Sequence, residues 1–303
     1  MIIKNEVPKD LATALDCAIR DFETKEFGFS LGESNYYNYM SNRSWSEFLR
    51  TMDKKHVKQY GDGAGGELHE GQYPPKMASF GSSSRMIYEL SKDIRGFIFE
   101  EKLDTRIGGV ANIDGLLRIG NEYIYVEAKK REIYGSSHLR EDIKNVYLPV
   151  YDAISKKCGG CNFKYEKDKI KNSTKQDKTK ITFYLNNEIN LYFDLKQLIC
   201  HFLGITYDLA KHSVKNAKIT FLYLLYNPES IKNNINEKYR EKILKRYADV
   251  TEYINKNINI FKSIFEAVLQ YQIGLHSITE NPDIDFEFKL VSQRDYKKEL
   301  GAE

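Results

Sequence analysis

Ala111-Asn-Ile-Asp-Gly-Leu-Leu-Arg-Ile-Gly-Asn-Glu-Tyr-Ile-Tyr-Val-Glu-Ala-Lys129 decides how this chain is read. Two apolar runs, Val110 to Ile119 and Tyr123 to Ala128, flank Gly120-Asn121-Glu122, which predicts a β-hairpin. Asp114 lies within the first run, directly before Gly115. Glu127 and Lys129 end the second run and, being two residues apart, share one face of a strand, while Val126 and Ala128 turn toward a core.

Two carboxylates and an ammonium at adjacent ends of a hairpin are costly to hold beside apolar walls. A divalent cation offsets that cost. Hard oxygen donors suit Mg²⁺, with Mn²⁺ as its substitute, and Mg²⁺ keeps waters that leave room for a phosphate oxygen. Lys129 would then position or help deprotonate an attacking water and stabilise charge in the transition state. The competing reading makes Glu127 and Lys129 an ordinary ion pair on an exposed strand. The joint pattern, Asp-Gly within a strand, a short turn, then Glu-x-Lys at the next strand's end, favours the metal site.

Outward from the hairpin, helical spacing runs upstream through Met86, Ile87, Leu90, Ile94, Phe97, Ile98 and Leu103, predicting one long helix from Ser82 that stops at Gly108-Gly109. Glu89, Glu100 and Glu101 would all ride on it. Further upstream, helices are expected at Asp10 to Phe22 and from Ser44 to about Tyr60, followed by a glycine- and proline-rich loop, Gly61 to Pro75. That loop lacks the Gly-Lys-Ser/Thr ending of a phosphate loop. It sets a boundary between a helical N-terminal region, 1–80, and the core, 81–303. Downstream, a helix is expected at Ser137 to Ile154, then a lysine-rich insertion at about 156–180 read as a solvated loop. Next come a short strand at Ile181 to Leu185, a helix capped by Asp194, a buried strand at Ile219 to Tyr226, helix from Glu229 to Gln272 and a closing strand at Phe286 to Val291. Strands alternating with helices indicate an α/β layered core, a central mixed sheet flanked by helices.

With 41% hydrophobic and 29% charged residues among 303, the chain can bury a core and is not disordered throughout. No apolar run reaches the roughly 18 residues of a membrane helix, and the polar, acidic start differs from a signal peptide, so a cytoplasmic protein is expected. The net charge of +3 neither requires nor excludes nucleic acid. Cys158-Gly-Gly-Cys161 is half of a zinc pattern with no second pair near it, and reads as a turn.

Asp114 and Glu127-Ala128-Lys129 resemble the signature of the PD-(D/E)xK phosphodiesterase superfamily, which includes many restriction endonucleases, with Ile113 standing where the family has proline. The resemblance covers about Ser82 to Tyr226. It implies a restriction-endonuclease-like core and an Mg²⁺-dependent DNA endonuclease, of restriction or defence type, that leaves a 5′-phosphate and commonly works as a homodimer. It assigns Asp114 and Glu127 as metal ligands and Lys129 to the water. It also implies a further glutamate from the helix that opens the core, Glu89 or else Glu100. Gln197 and His201, one turn apart on the Asp194-capped helix, are similar to the Gln-x-x-x-aromatic element of RecB-like members. Lys130 and Arg131 are the nearest candidates for phosphate contacts, joined by Arg140 and Lys144, and Tyr36-Tyr37-Asn-Tyr39 for base stacking. The rival expectation is a nucleic-acid-binding or assembly protein on the same fold that does not cut; the third is an unrelated α/β protein in which the three signature side chains lie far apart.

Overall fold

The structure, a computed structural model, describes residues 10–32, 38–62, 67–68, 74–135, 142–166, 178–212, 214, 216–276 and 283–302. The predicted hairpin forms as β2 (Val110–Ile119) and β3 (Glu122–Lys129), with Gly120 at φ +59° in the turn. They lie within a five-stranded mixed sheet whose order is β1-β2-β3-β8-β9. β1 (Ile98–Asp104), β2 and β3 run antiparallel; β8 (Ala217–Leu225) and β9 (Ile284–Ser292) add parallel to β3. β8 is buried along almost its whole length, as a near-continuous apolar strand in the middle of a sheet must be.

Helices cover the sheet. α6 (Leu195–Lys211) and α7 (Glu237–His276) pack on one face through aromatic rings: Phe202 meets Phe221 edge-on, and Phe265 stacks on Phe286 at 3.9 Å. At 40 residues α7 is about 60 Å long. α4 (Ser83–Ser91) packs against β2 and β3. A second, four-stranded sheet, β4 (Asp142–Lys144), β6 (Lys178–Leu185) and β5 (Cys161–Glu166) with the two-residue β7 (Glu188–Ile189) on β6, is backed by α5 (Leu148–Lys157). The N-terminal helices α1 (Asp10–Phe27), α2 (Asn42–Thr51) and α3 (Lys54–Asp62) share one apolar core with the large sheet, which joins Leu15, Phe48 and Tyr60 to Phe99 and Phe221.

Four expectations are corrected. The long helix from Ser82 to Leu103 is instead α4 followed by β1: Gly96 at φ +85° breaks the chain, and Phe97 and Phe99, two apart, are buried as strand residues are. The helical spacing of Met86, Leu90, Ile94 and Phe97 is fortuitous. The helix from Ser44 is two helices parted at Met52-Asp53, and its N-cap is Ser41, whose hydroxyl accepts from the Ser44 N–H. Within Ser137 to Ile154, the residues from Asp142 begin with a short strand before α5; His138 and Arg140 lie outside the described residues. Part of the lysine-rich segment is strand, since β5 alternates Cys161, Phe163 and Tyr165 against β6; 167–177 lie outside the described residues.

Candidate active site

The β2–β3 ladder pairs from Ile119↔Glu122 to Gly115↔Val126 and then opens. At the opening the Asp114 side chain replaces a ladder acceptor: its Oδ2 takes the Ala128 N–H at 2.7 Å. Beside it, Gly115 leaves room for the Phe97 ring, which a Cβ there would meet at 2.3 Å. On the other side, Phe99↔Gly115 and Glu101↔Ile113 set Glu100 abreast of Asp114. Glu100 has φ +54°, a left-handed backbone that costs a non-glycine residue on the order of 1 kcal/mol. Glu100, Asp114 and Glu127 thus form a row across three neighbouring strands and line one cleft of about 590 Å³. The N-terminus of α4, with Ser82, Ser83 and Ser84, and that of α6, with Asp194 and Gln197, border the same cleft.

Glu127 and Lys129 point together into this cleft from the end of β3. The buried Lys129 Nζ donates to Glu127 Oε1 at 2.5 Å and to Gln197 Oε1 at 2.8 Å. His201, also buried, brings Nε2 to 2.9 Å from Glu127 Oε2, although the N–H direction is not aligned for a good hydrogen bond. Asp194, as predicted, caps α6, its Oδ1 accepting from the Gln197 N–H at 2.9 Å, and so fixes the turn that presents Gln197 and His201.

The electrostatics separate the three acids. Burial pushes the Asp114 carboxyl well above its usual range, and Glu127 and Glu100 push it further. Burial, then Glu67 and Glu127, raise Glu100 to about 7. Burial would raise Glu127 too, but Lys129 and then His201 outweigh it and hold the carboxylate ionised. Lys129 is the mirror case: burial disfavours its charge, and Glu127 more than compensates, so the ammonium keeps its proton above the usual lysine range.

The other predicted residues divide. Arg131 stands at the cleft, its Nη1 donating to buried Asp16 Oδ2 at 2.7 Å. Lys130 does not: it is buried behind the cleft and paired with Glu23 at 2.9 Å. Glu89 is likewise displaced, exposed on α4 and bonded to Lys92, and Glu100 occupies the place expected of it, on a strand rather than a helix. Tyr39 borders the cleft; Tyr36 and Tyr37 lie outside the described residues.

Two site residues escaped the sequence reading. Glu67, buried in the cleft wall and 3.7 Å from Lys76, comes from the glycine-rich loop, where nothing in the pattern marks a carboxylate. Glu132 accepts from the Lys130 and Arg131 N–H groups at 2.7 and 3.0 Å and from Ser83 Oγ at 3.0 Å, tying the end of β3 to the start of α4. No turn signal in the sequence marks it, because its side chain reaches back to the N–H groups that precede it.

No protein-family model, curated protein or solved structure matches the chain. Among the described residues no three His, Cys, Asp or Glu side chains already converge as a metal-ligand set. The donor chemistry nevertheless fits a hard divalent cation. Asp114 and Glu100 form no ion pair among the described residues, Glu100 raises the Asp114 pKa and Glu127 raises both, an unfavourable juxtaposition that a cation between them would relieve. The Glu127 oxygens are turned toward Lys129 and His201, so Glu127 would join such a site by giving up one of these contacts.

Proposed function

We propose that this chain is an Mg²⁺-dependent nuclease that hydrolyses phosphodiester bonds of DNA, on a restriction-endonuclease-like core. The observation that carries the reading is the row Glu100, Asp114 and Glu127 beside a permanently charged Lys129 in one open cleft. Mg²⁺, when bound, would polarise a phosphodiester oxygen and acidify a water. Asp114 and Glu127 would hold it, with Glu100 completing the oxygen set. Lys129 keeps its proton, so it acts as a hydrogen-bond donor to developing phosphoryl charge, and removal of the water's proton falls to a carboxylate of the row. Gln197 fixes the Lys129 ammonium from the second side. Arg131 and the α4 N-terminus, both electropositive at the cleft, suit the phosphates flanking the scissile bond. A restriction or defence role, a homodimer cutting both strands and a cytoplasmic setting belong to the same proposal.

One observation favours the non-cutting alternative: both Glu127 oxygens are already faced by side chains, one by the Lys129 ammonium and one by the His201 ring, as in a structural network that serves binding alone. Incubation of wild type and Asp114→Asn with plasmid and single-stranded DNA in Mg²⁺, Mn²⁺ or EDTA separates the two. Metal-dependent cutting lost in the variant supports the nuclease. Binding of DNA without cutting by wild type supports the alternative and ends the catalytic reading.

A further inference from the structure

Helix α1 reaches the end of β3 through two carboxylates, Asp16 and Glu23, which lie two turns apart on one face of the helix. They take consecutive cations. Glu23 holds Lys130 at 2.9 Å, and both of these side chains are mostly buried. Asp16 holds Arg131, its Oδ2 accepting from Nη1 at 2.7 Å, and here the partners differ. The Asp16 side chain is 1% exposed, whereas that of Arg131 is 45% exposed and lines the cleft. Gly81, in the same cleft wall, closes around the pair: a Cβ there would stand 2.3 Å from Asp16 Oδ1 and 2.7 Å from Arg131 Cδ.

The Glu23 pair already ties α1 to the core, and Asp16 adds little to that tie. A buried carboxylate loses more by desolvation than a half-exposed, water-screened cation returns. Burial pushes the Asp16 carboxyl from 3.8 up to about 6, although Arg131 and then Lys130 oppose the rise. Its Oδ1 has no hydrogen-bond partner among the described residues. An acid whose pKa rises on folding destabilises the folded chain as pH climbs through that range, so Asp16 works against folding at neutral pH. What it contributes is direction. The guanidinium is a planar fork of donors, and Asp16 fixes it by one nitrogen; Nε and Nη2 donate to no other described residue.

We propose that Asp16 is a positioning residue: it holds the Arg131 guanidinium in the cleft wall with two nitrogens left for a backbone phosphate of the bound DNA. The N-terminal helix α1 is thereby part of the substrate site and not only a cover for the core. The assignment rests on the nuclease reading of the cleft and gives that reading a phosphate contact of fixed geometry.

The test is binding of a fluorescein-labelled DNA duplex to the full chain, by anisotropy at pH 8 in metal-free buffer, where nothing is cut. Asp16→Asn and Asp16→Ala both remove the charge, but only Asn keeps an oxygen that can accept from Arg131, so their comparison isolates positioning from electrostatics. Asp16→Ala should bind about fivefold or more weaker than Asp16→Asn. In the Arg131→Ala chain the two substitutions should bind alike. Arg131→Lys, half-exposed and therefore tolerated by the fold, is the companion variant. It keeps the charge and the slope of log affinity against log salt, yet should lose about fivefold or more in affinity, since an ammonium lacks the fork that serves Asp16 and a phosphate together. Equal affinities of the two Asp16 variants, the same difference between them without Arg131, or wild-type affinity in Arg131→Lys overturns the positioning role and leaves the nuclease reading standing. Wild type that binds no duplex ends both.

Discussion

Replacing Glu100 by Gln removes one charge from the carboxylate row without changing its shape. The Glu100 carboxyl rises from 4.5 to about 7 in the folded chain. A raised acid pKa means that the unfolded chain loses its proton first, so this group lowers folding stability progressively as pH rises from about 4.5 to 7, and by a constant amount above. At about 1.4 kcal/mol per pH unit the full displacement corresponds to roughly 3 kcal/mol; with the side chain half-buried and partly screened, about 1 to 3 kcal/mol is expected. For a chain of 303 residues that is a rise in melting temperature of about 2 to 5 °C. Glu100→Gln should therefore melt above wild type at pH 8 and level with it at pH 4.5 in metal-free buffer, followed by circular dichroism. Millimolar Mn²⁺ should stabilise wild type at pH 8 and the variant less, reversing their order or closing the gap. A variant that melts at or below wild type at pH 8 without metal would refute the electrostatic account of the row.

Other substitutions probe separate parts of the site. Lys129→Met should abolish cleavage and destabilise the fold by about 3 to 5 kcal/mol, because it strands the buried Glu127 carboxylate; Glu127→Gln in the same chain should recover much of the stability and none of the activity, as thermal melts and a cleavage assay would show. Gly115→Ala should cost about 1 to 3 kcal/mol in chemical denaturation, since its Cβ would meet the Phe97 ring at 2.3 Å. Arg131→Ala should weaken DNA binding at all sequences alike and reduce the slope of log affinity against log salt by about one, measured by fluorescence anisotropy.

What the sequence made legible is the part governed by local rules. Alternation and the Gly120-Asn121 turn predicted the hairpin, the two-residue spacing put Glu127 and Lys129 on one face, and a four-residue spacing with an aspartate cap brought Gln197 and His201 to them. The misassigned helix shows the limit. Phe97, Ile98 and Leu103 satisfy a helical pattern with Met86 and Leu90, and only pairing with β2, a tertiary event, makes the chain a strand from Ile98 on. That one error put Glu89 ahead of Glu100, which the structure sets in the cleft abreast of Asp114. Lys130 illustrates another: a lysine next to Lys129 looks available for phosphate, and only a glutamate 107 residues away, Glu23, explains its burial. Glu67 reaches the cleft wall from a glycine-rich stretch, a placement that no periodicity encodes.

The central proposal is that Glu100, Asp114 and Glu127 hold a divalent cation. Titration of metal-free protein with Mn²⁺ at pH 8, followed by electron paramagnetic resonance of the free ion, tests this most directly. Wild type should take up Mn²⁺ saturably, Asp114→Asn should lose that uptake by at least tenfold in affinity, and Glu89→Gln should match wild type. No uptake by wild type, or equal uptake by Asp114→Asn, would contradict it.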